Sequence, residues 1–205
     1  MAHQSSLSAS KRRRPKPGER RVQILQTLAE MLESPDAERV TTAALAARLS
    51  VSEAALYRHF SGKAQIFEAL IEFLEQSVLN ILNGIVEREP AGPARASNIV
   101  TSILKFGEKN PSMARMMVGD ALVFEDQRLQ QRMNQLFDRI EVALYRSLCK
   151  PSAMVSGVTS TPDADAQIMA SVLTAFMTGR LQRFARTSLS RVPTEQLETC
   201  LARLL

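Results

Sequence analysis

Tryptophan is absent from the 205 residues, and only two cysteines, two histidines and two tyrosines occur. Cys149 and Cys200 stand far apart, with no CxxC motif or mixed Cys/His cluster near either. That excludes a zinc-ligand set and a disulfide framework, and it fits a reducing cytoplasm. His3 and His59 are the only imidazoles, and no HExxH, GxSxG or glycine-rich nucleotide loop occurs. Gly62-Lys63 lacks the GxxxxGK[ST] frame of a phosphate-binding loop. The expectation is no enzyme, no metal and no cofactor. Long uncharged runs are missing as well: the most apolar stretch, Ile66 to Val86, is broken by Glu68, Glu72 and Glu75, and Met1 to Ser10 has no apolar leader core. No stable membrane insertion is expected. Period-two alternation between turn signals is also lacking, which removes strands and leaves an all-α fold.

What the chain does have is an uneven distribution of charge. The formal net charge is +5, and residues 1–63 hold eleven Lys or Arg against six Asp or Glu, whereas residues 64–205 hold fifteen of each. The cationic surplus therefore lies in the first third. Neutralising phosphates releases condensed counterions, so such a segment attracts nucleic acid first and an anionic membrane second.

Residues 1–18 read as a disordered basic arm, with Lys11, Arg12, Arg13, Arg14 and Lys16 among Ser, Pro and Gly. From Glu19, Val22, Leu25, Leu28, Ala29 and Leu32 recur at helical spacing and stop near Ser34-Pro35. A short helix is expected from Thr42 to Leu49, capped by Thr41 or Thr42, and a third from Glu53 to His59, capped by Ser52 after a Ser50-Val51 turn. Ser61-Gly62 breaks the chain before a long helix, Lys63 to Val86. Further helices are expected near 94–109, 111–118, 125–149, 163–187 and 194–204, with a loose 150–162 loop. The domain reading is an arm (1–18), a three-helix module (19–62) and a helical bundle (63–205).

Two short helices joined by a tight turn are the helix-turn-helix plan, in which the second enters the major groove N-terminus first. Ser52, Glu53 and Ala54 then lie nearest the base edges. Ala55 and Leu56 face the other helices, while Tyr57, Arg58 and His59 emerge beside the backbone. Val40-Thr41-Thr42, Leu45-Ala46, Val51-Ser52, Ala55-Leu56-Tyr57-Arg58-His59-Phe60 and Lys63 resemble the DNA-binding signature of the TetR family. The resemblance implies that Thr41, Tyr57, His59 and Lys63 hold phosphates and that a homodimer reads a palindromic double-stranded site. Thr42 joins that set, because capping and phosphate contact are compatible.

The later segments Phe106-Gly107-Glu108-Lys109-Asn110-Pro111, Phe124-Glu125 and Arg132-Met133-Asn134-Gln135-Leu136-Phe137-Asp138-Arg139-Ile140-Glu141 resemble one branch of that family, the nucleoid occlusion factors. This resemblance implies a nucleoid-associated cytoplasmic protein that, bound to DNA, disrupts assembly of the division protein FtsZ. It places the partner groove between the helix after the headpiece and the next, at Phe73, Lys109 (where Arg is usual) and Asn110. Ile81 and Lys105 depart from the branch, which has Arg and Gly there. On a helical wheel Phe73 falls about 120° from the apolar stripe of Phe67, Ile71, Leu74, Val78, Ile81, Leu82 and Ile85, and is a candidate exposed aromatic. Leu129, Met133, Leu136, Phe137, Ile140 and Leu144 read as core, as do Ile168, Val172, Ala175, Phe176, Gly179 and Phe184. The last two helices are expected to form the dimer bundle, with Gly179 allowing close approach and Arg180, Arg183 and Arg186 on a solvated face. A second reading is a ligand-responsive repressor in which some of the nine Met residues, including Met113, Met116 and Met117, line an adaptable pocket.

Overall fold

The computed structural model describes residues 18–34, 40–149 and 162–205. The basic arm up to residue 17, Pro35 and the 150–161 loop lie outside the described residues. The elements run α1 (Glu19–Glu33), α2 (Thr42–Arg48), α3 (Glu53–Tyr57), α4 (Lys63–Arg88), α5 (Pro93–Lys109), α6 (Pro111–Met117), a 3-10 turn (Asp120–Leu122), α7 (Gln127–Leu148), α8 (Pro162–Arg186) and α9 (Leu197–Leu204). No strand occurs among the described residues, in line with the missing alternation. The 3-10 turn has no counterpart in the sequence reading. It delays α7, whose cap is Asp126, accepting a hydrogen bond from Arg128 N at 3.0 Å. The Arg128 side chain and then its backbone N–H hold the Asp126 carboxyl down at about 2, so the cap is a carboxylate at neutral pH.

α1 buries Ile24, Thr27, Leu28 and Leu32. Val22, expected on that stripe, is exposed, because a step of two helical residues turns it about 200° away from Ile24. The α2–α3 turn is closed by Ser50 N–H to Ala47 O and Val51 N–H to Ala46 O, with Ser50 at a φ of 54°. This is a Schellman closure with serine where glycine would be free of strain. Leu45, Ala46, Leu56 and Phe60 complete the small core that joins the three helices.

α4 is long and apolar enough to cross a bilayer by length and composition alone. Its apolar side chains nevertheless belong to the core: Phe67, Ile71, Leu74, Val78, Leu82 and Ile85 are buried as the wheel implied, with Ile66 and Leu70 added and Ile81 only half-buried. α5 and α7 pack on it, and α8 packs on α5, α6 and α7, running along α7. The expected α7 stripe is buried except for Phe137, which is partly so.

The expectation for α8 needs correction. Its buried face is Ala166, Ala170, Leu173, Met177, Leu181 and Phe184, whereas Ile168 is 62% exposed and Val172, Ala175 and Gly179 are exposed too. Apolar residues lie nearly all round this helix, so periodicity could not choose between faces. Arg180 is likewise not on a solvated face. Its guanidinium donates to Glu195 O at 2.5 Å and stacks 4.8 Å from the Phe176 ring, tying α8 to the chain entering α9. Arg95, buried, donates to Ser147 Oγ and Arg146 O and so closes the C-terminal end of α7.

The glycine that brings two helices together within the chain is Gly107 rather than Gly179. A Cβ at Gly107 would lie 2.5 Å from Leu181 Cδ2, whereas one at Gly179 meets nothing within 4 Å. Leu181 is fully buried and has little freedom to yield. Gly107→Ala is therefore expected to lose about 1–3 kcal/mol through overpacking, seen as a lower urea midpoint at unchanged slope. Gly84→Ala, close only to the flexible Arg88 guanidinium at 3.5 Å, should gain about 0.5–1 kcal/mol from helix propensity.

Candidate nucleic-acid interface and partner surface

Two adjacent threonines do different work at the start of α2. Thr41 caps the helix, its hydroxyl accepting from Ala44 N–H at 3.1 Å. Thr42 donates from Oγ1 to Glu53 Oε2 at 2.7 Å and accepts from the Tyr57 hydroxyl at 3.5 Å, linking the start of α2 to both ends of α3. Ser52 occupies the N-cap position of α3, but its side chain makes no capping hydrogen bond. Its hydroxyl is exposed. Glu53 and Ala54 are exposed beside it, Ala55 is half-buried and Leu56 is buried against the other headpiece helices, as the groove-entry reading requires.

At the other end of α3, Tyr57 is 49% exposed, and Arg58 and His59 are also exposed. Arg21 of α1 donates to His59 O at 2.9 Å and lies 4.1 Å from the Phe60 ring centroid. That pins the turn carrying His59 while adding a cation to the surface. Sequence reasoning missed this residue, since nothing in its own helix marks a partner 38 positions away.

Lys63, at the N-terminal end of α4, borders Thr41 and Thr42 around a small apolar gap that has no room for a water. The fold thus assembles these three candidates on one side of the headpiece, with Ser52, Glu53, Ala54, Tyr57 and His59 along α3. Lys63 is also engaged elsewhere: Nζ lies 2.5 Å from Glu125 Oε1, with side-chain exposures of 24% and 9%. A second joint fastens the headpiece to the bundle. Arg115 of α6 donates to Leu32 O at 2.8 Å and Ser34 O at 2.9 Å, closing the C-terminal end of α1, and is itself held by Asp120 at 2.6 Å. Ser112 adds a bond to Glu33 at 3.4 Å.

The candidate partner surface divides into exposed and structural parts. Phe73 is 59% exposed on α4, and Lys105 and Lys109 are exposed on α5, which packs on α4. Asn110, half-buried, makes the corner between α5 and α6. Its side-chain amide donates to Phe106 O at 2.8 Å, and its carbonyl accepts from Met113 N–H and Ala114 N–H. Met113 and Met116 are buried in the core, and Met117 lies at the floor of an open cleft of about 420 Å³.

Residues 24–70 match the family of bacterial regulatory proteins of the tetR type, and residues 93–205 match a tetracycline repressor-like C-terminal domain of SlmA-like type. The chain is 49% identical over 180 residues to a nucleoid occlusion factor SlmA of Klebsiella pneumoniae (strain 342), covering 87% of this chain and 89% of the relative. It is 48% identical over 181 residues to the SlmA of Enterobacter sp. (strain 638), covering 88% and 90%. Among solved structures it is similar to a TetR-like transcriptional regulator from Rhodococcus sp. RHA1, with a TM-score of 0.70, 17% identity and coverage of 93% and 97%. It is also similar to FadR from Bacillus subtilis in complex with stearoyl-CoA, with a TM-score of 0.67, 13% identity and coverage of 89% and 96%. At such identities these two likenesses speak for the fold alone.

Removing the Arg115 joint tests how the headpiece is held. Arg115→Ala strips charged donors from the last carbonyls of α1 and should cost about 2 kcal/mol. In hydrogen exchange the loss should be local, with the amides of 28–34 exchanging faster while those of α8 hold their protection. A uniform loss across both would show that Arg115 supports the whole fold instead.

Proposed function

Because the chain belongs to the TetR family and, within it, to the SlmA-like nucleoid occlusion factors, we propose that it binds palindromic chromosomal DNA as a homodimer and, when so bound, antagonises FtsZ assembly over the nucleoid. The observation that carries this reading is that the similarity to nucleoid occlusion factors runs through the bundle as well as the headpiece. A shared headpiece alone would speak only for DNA. The role is one of binding rather than catalysis, in the cytoplasm at the nucleoid, with residues 19–62 as the reading module and 63–205 as the dimerisation and partner module.

The residues divide by chemistry. Thr41, Thr42, Tyr57, His59 and Lys63 offer hydroxyl, imidazole and ammonium donors suited to phosphate oxygens and set the register on the duplex. Ser52, Glu53 and Ala54 meet base edges, with hydroxyl, carboxylate and methyl groups to discriminate among them. The exposed stripe of Ile168, Val172, Ala175 and Gly179 gives α8 an apolar face for a second copy, and a two-fold protein matches a palindrome. Phe73, Lys109 and the Asn110 corner form the FtsZ surface. Lys105 and Lys109 supply the positive charge for an acidic tail that the branch takes from an arginine at the position of Ile81.

Lys63→Ala or His59→Ala should weaken binding to all sequences alike and leave base preference intact, as fluorescence titrations on operator and scrambled duplexes would show. Substituting Ser52, Glu53 or Ala54 should instead alter discrimination at one or two positions of each half-site, by roughly 1–3 kcal/mol for every well-formed base interaction removed. Unchanged specificity in all three variants would remove α3 from the groove.

The partner surface is tested separately. Phe73→Ala and Lys109→Glu should abolish antagonism of FtsZ polymers in a sedimentation assay with operator DNA present, while operator affinity and dimerisation stay intact. Full antagonism by both variants would rule out this surface. No antagonism by the wild type would turn the assignment toward a repressor.

A further inference from the structure

Lys63 stands between two anions that cannot both have it. On one side it lies beside Thr41 and Thr42, the donors to which the proposed function assigns a phosphate. On the other its ammonium meets the Glu125 carboxylate, which is largely withdrawn from water. A phosphate held by these three side chains would bring like charge close to that carboxylate, and one ammonium neutralises only one of them. The lysine stem is flexible enough to turn from one to the other.

We infer that Glu125 is an intramolecular competitor for Lys63, so that the ion pair weakens the grip of the headpiece on phosphate and DNA binding opens the pair. The inference rests on the reading of Lys63 as a phosphate ligand and adds to it the residue that regulates it.

Opening the pair has consequences beyond the headpiece. Glu125 ends a short segment that begins at Gly119, whose φ of +78° suits glycine, and passes through the 3-10 turn. The segment's backbone bonds are Gly119 N–H to Met116 O, Leu122 N–H to Gly119 O and Glu125 N–H to Leu122 O, Gln130 donates to Leu122 O at 3.3 Å, and beside the buried Leu122 the side chains of Val123 and Phe124 are about 60% exposed. A carboxylate that loses its counter-ion there must reach water, which loosens the segment. Asp120 of the same segment holds Arg115, the closure of α1. By reciprocity, whatever stabilises the closed pair lowers DNA affinity, and whatever engages the opened segment raises it.

The test is a cycle on the full-length protein, read by fluorescence anisotropy on operator and on scrambled duplex. Glu125→Gln should bind both duplexes roughly fivefold more tightly, the gain expected when a partly exposed ion pair no longer has to be broken. In a Lys63→Ala background the same substitution should gain less than about twofold, the residue left by simply removing a negative charge. If Lys63→Ala leaves affinity unchanged, the reading of Lys63 as a phosphate ligand fails. If Lys63→Ala weakens binding but Glu125→Gln does not strengthen it, competition alone fails, and a weakening by Glu125→Gln would make Glu125 a support that positions Lys63. Should Glu125→Gln not fold, hydrogen exchange on the wild type carries the decision. Amides of 119–126 must exchange faster on operator binding, and unchanged or slower exchange overturns the inference.

Discussion

α4 is the one element that belongs to two cores, and the geometry of both modules hangs on it. Its first turns give Ile66 and Phe67 to the headpiece, where they meet Leu28, Val40 and Leu45. The rest gives Leu74, Val78, Leu82 and Ile85 to the bundle. An unbroken helix of 26 residues is a rod of about 39 Å. With no proline inside it and apolar burial along most of its length, it has no built-in hinge. The orientation of the headpiece on the bundle is thus a property of the fold.

Arginine reinforces that arrangement in a recurrent way. Arg115 closes the C-terminal end of α1, Arg95 closes that of α7, and Arg180 binds the carbonyls leading into α9. In each case a guanidinium from one element satisfies carbonyl groups that another leaves open, with the favourable sign for a helix C-terminus where the partner is one. The second part of the chain carries no net charge because fifteen Asp or Glu match its fifteen Lys or Arg. Arg115, Arg95 and Arg180 join elements, whereas Lys105 and Lys109 are exposed.

Much of this was legible in the sequence. Helix positions followed from apolar spacing, the order α1–α2–α3 from Ser, Thr and Gly punctuation, and Phe73 as a candidate exposed aromatic from a wheel together with the family resemblance. Two kinds of information were out of reach. A helix apolar on most sides carries no record of which side meets its own chain, and α8 was misread for that reason. Long-range pairings leave no trace in local spacing either: Arg21 on His59 O, Arg115 on Leu32 O and Lys63 on Glu125 join positions 38 to 83 residues apart. The candidate site was therefore legible as a set of residues, and the joints that hold it were not.

The bare apolar stripe on α8 has a consequence for how the protein fares at different abundances. In the proposed homodimer, a chain that covers Ile168 and Val172 by meeting a copy of itself gains stability by mass action, growing as RT ln(1 + [L]/Kd) with the copies available. Tenfold dilution then removes up to about 1.4 kcal/mol of protection against unfolding. Thermal resistance becomes a measure of supply: a cell that makes too little of the protein loses the remainder faster to proteolysis, and one that makes enough keeps what it has.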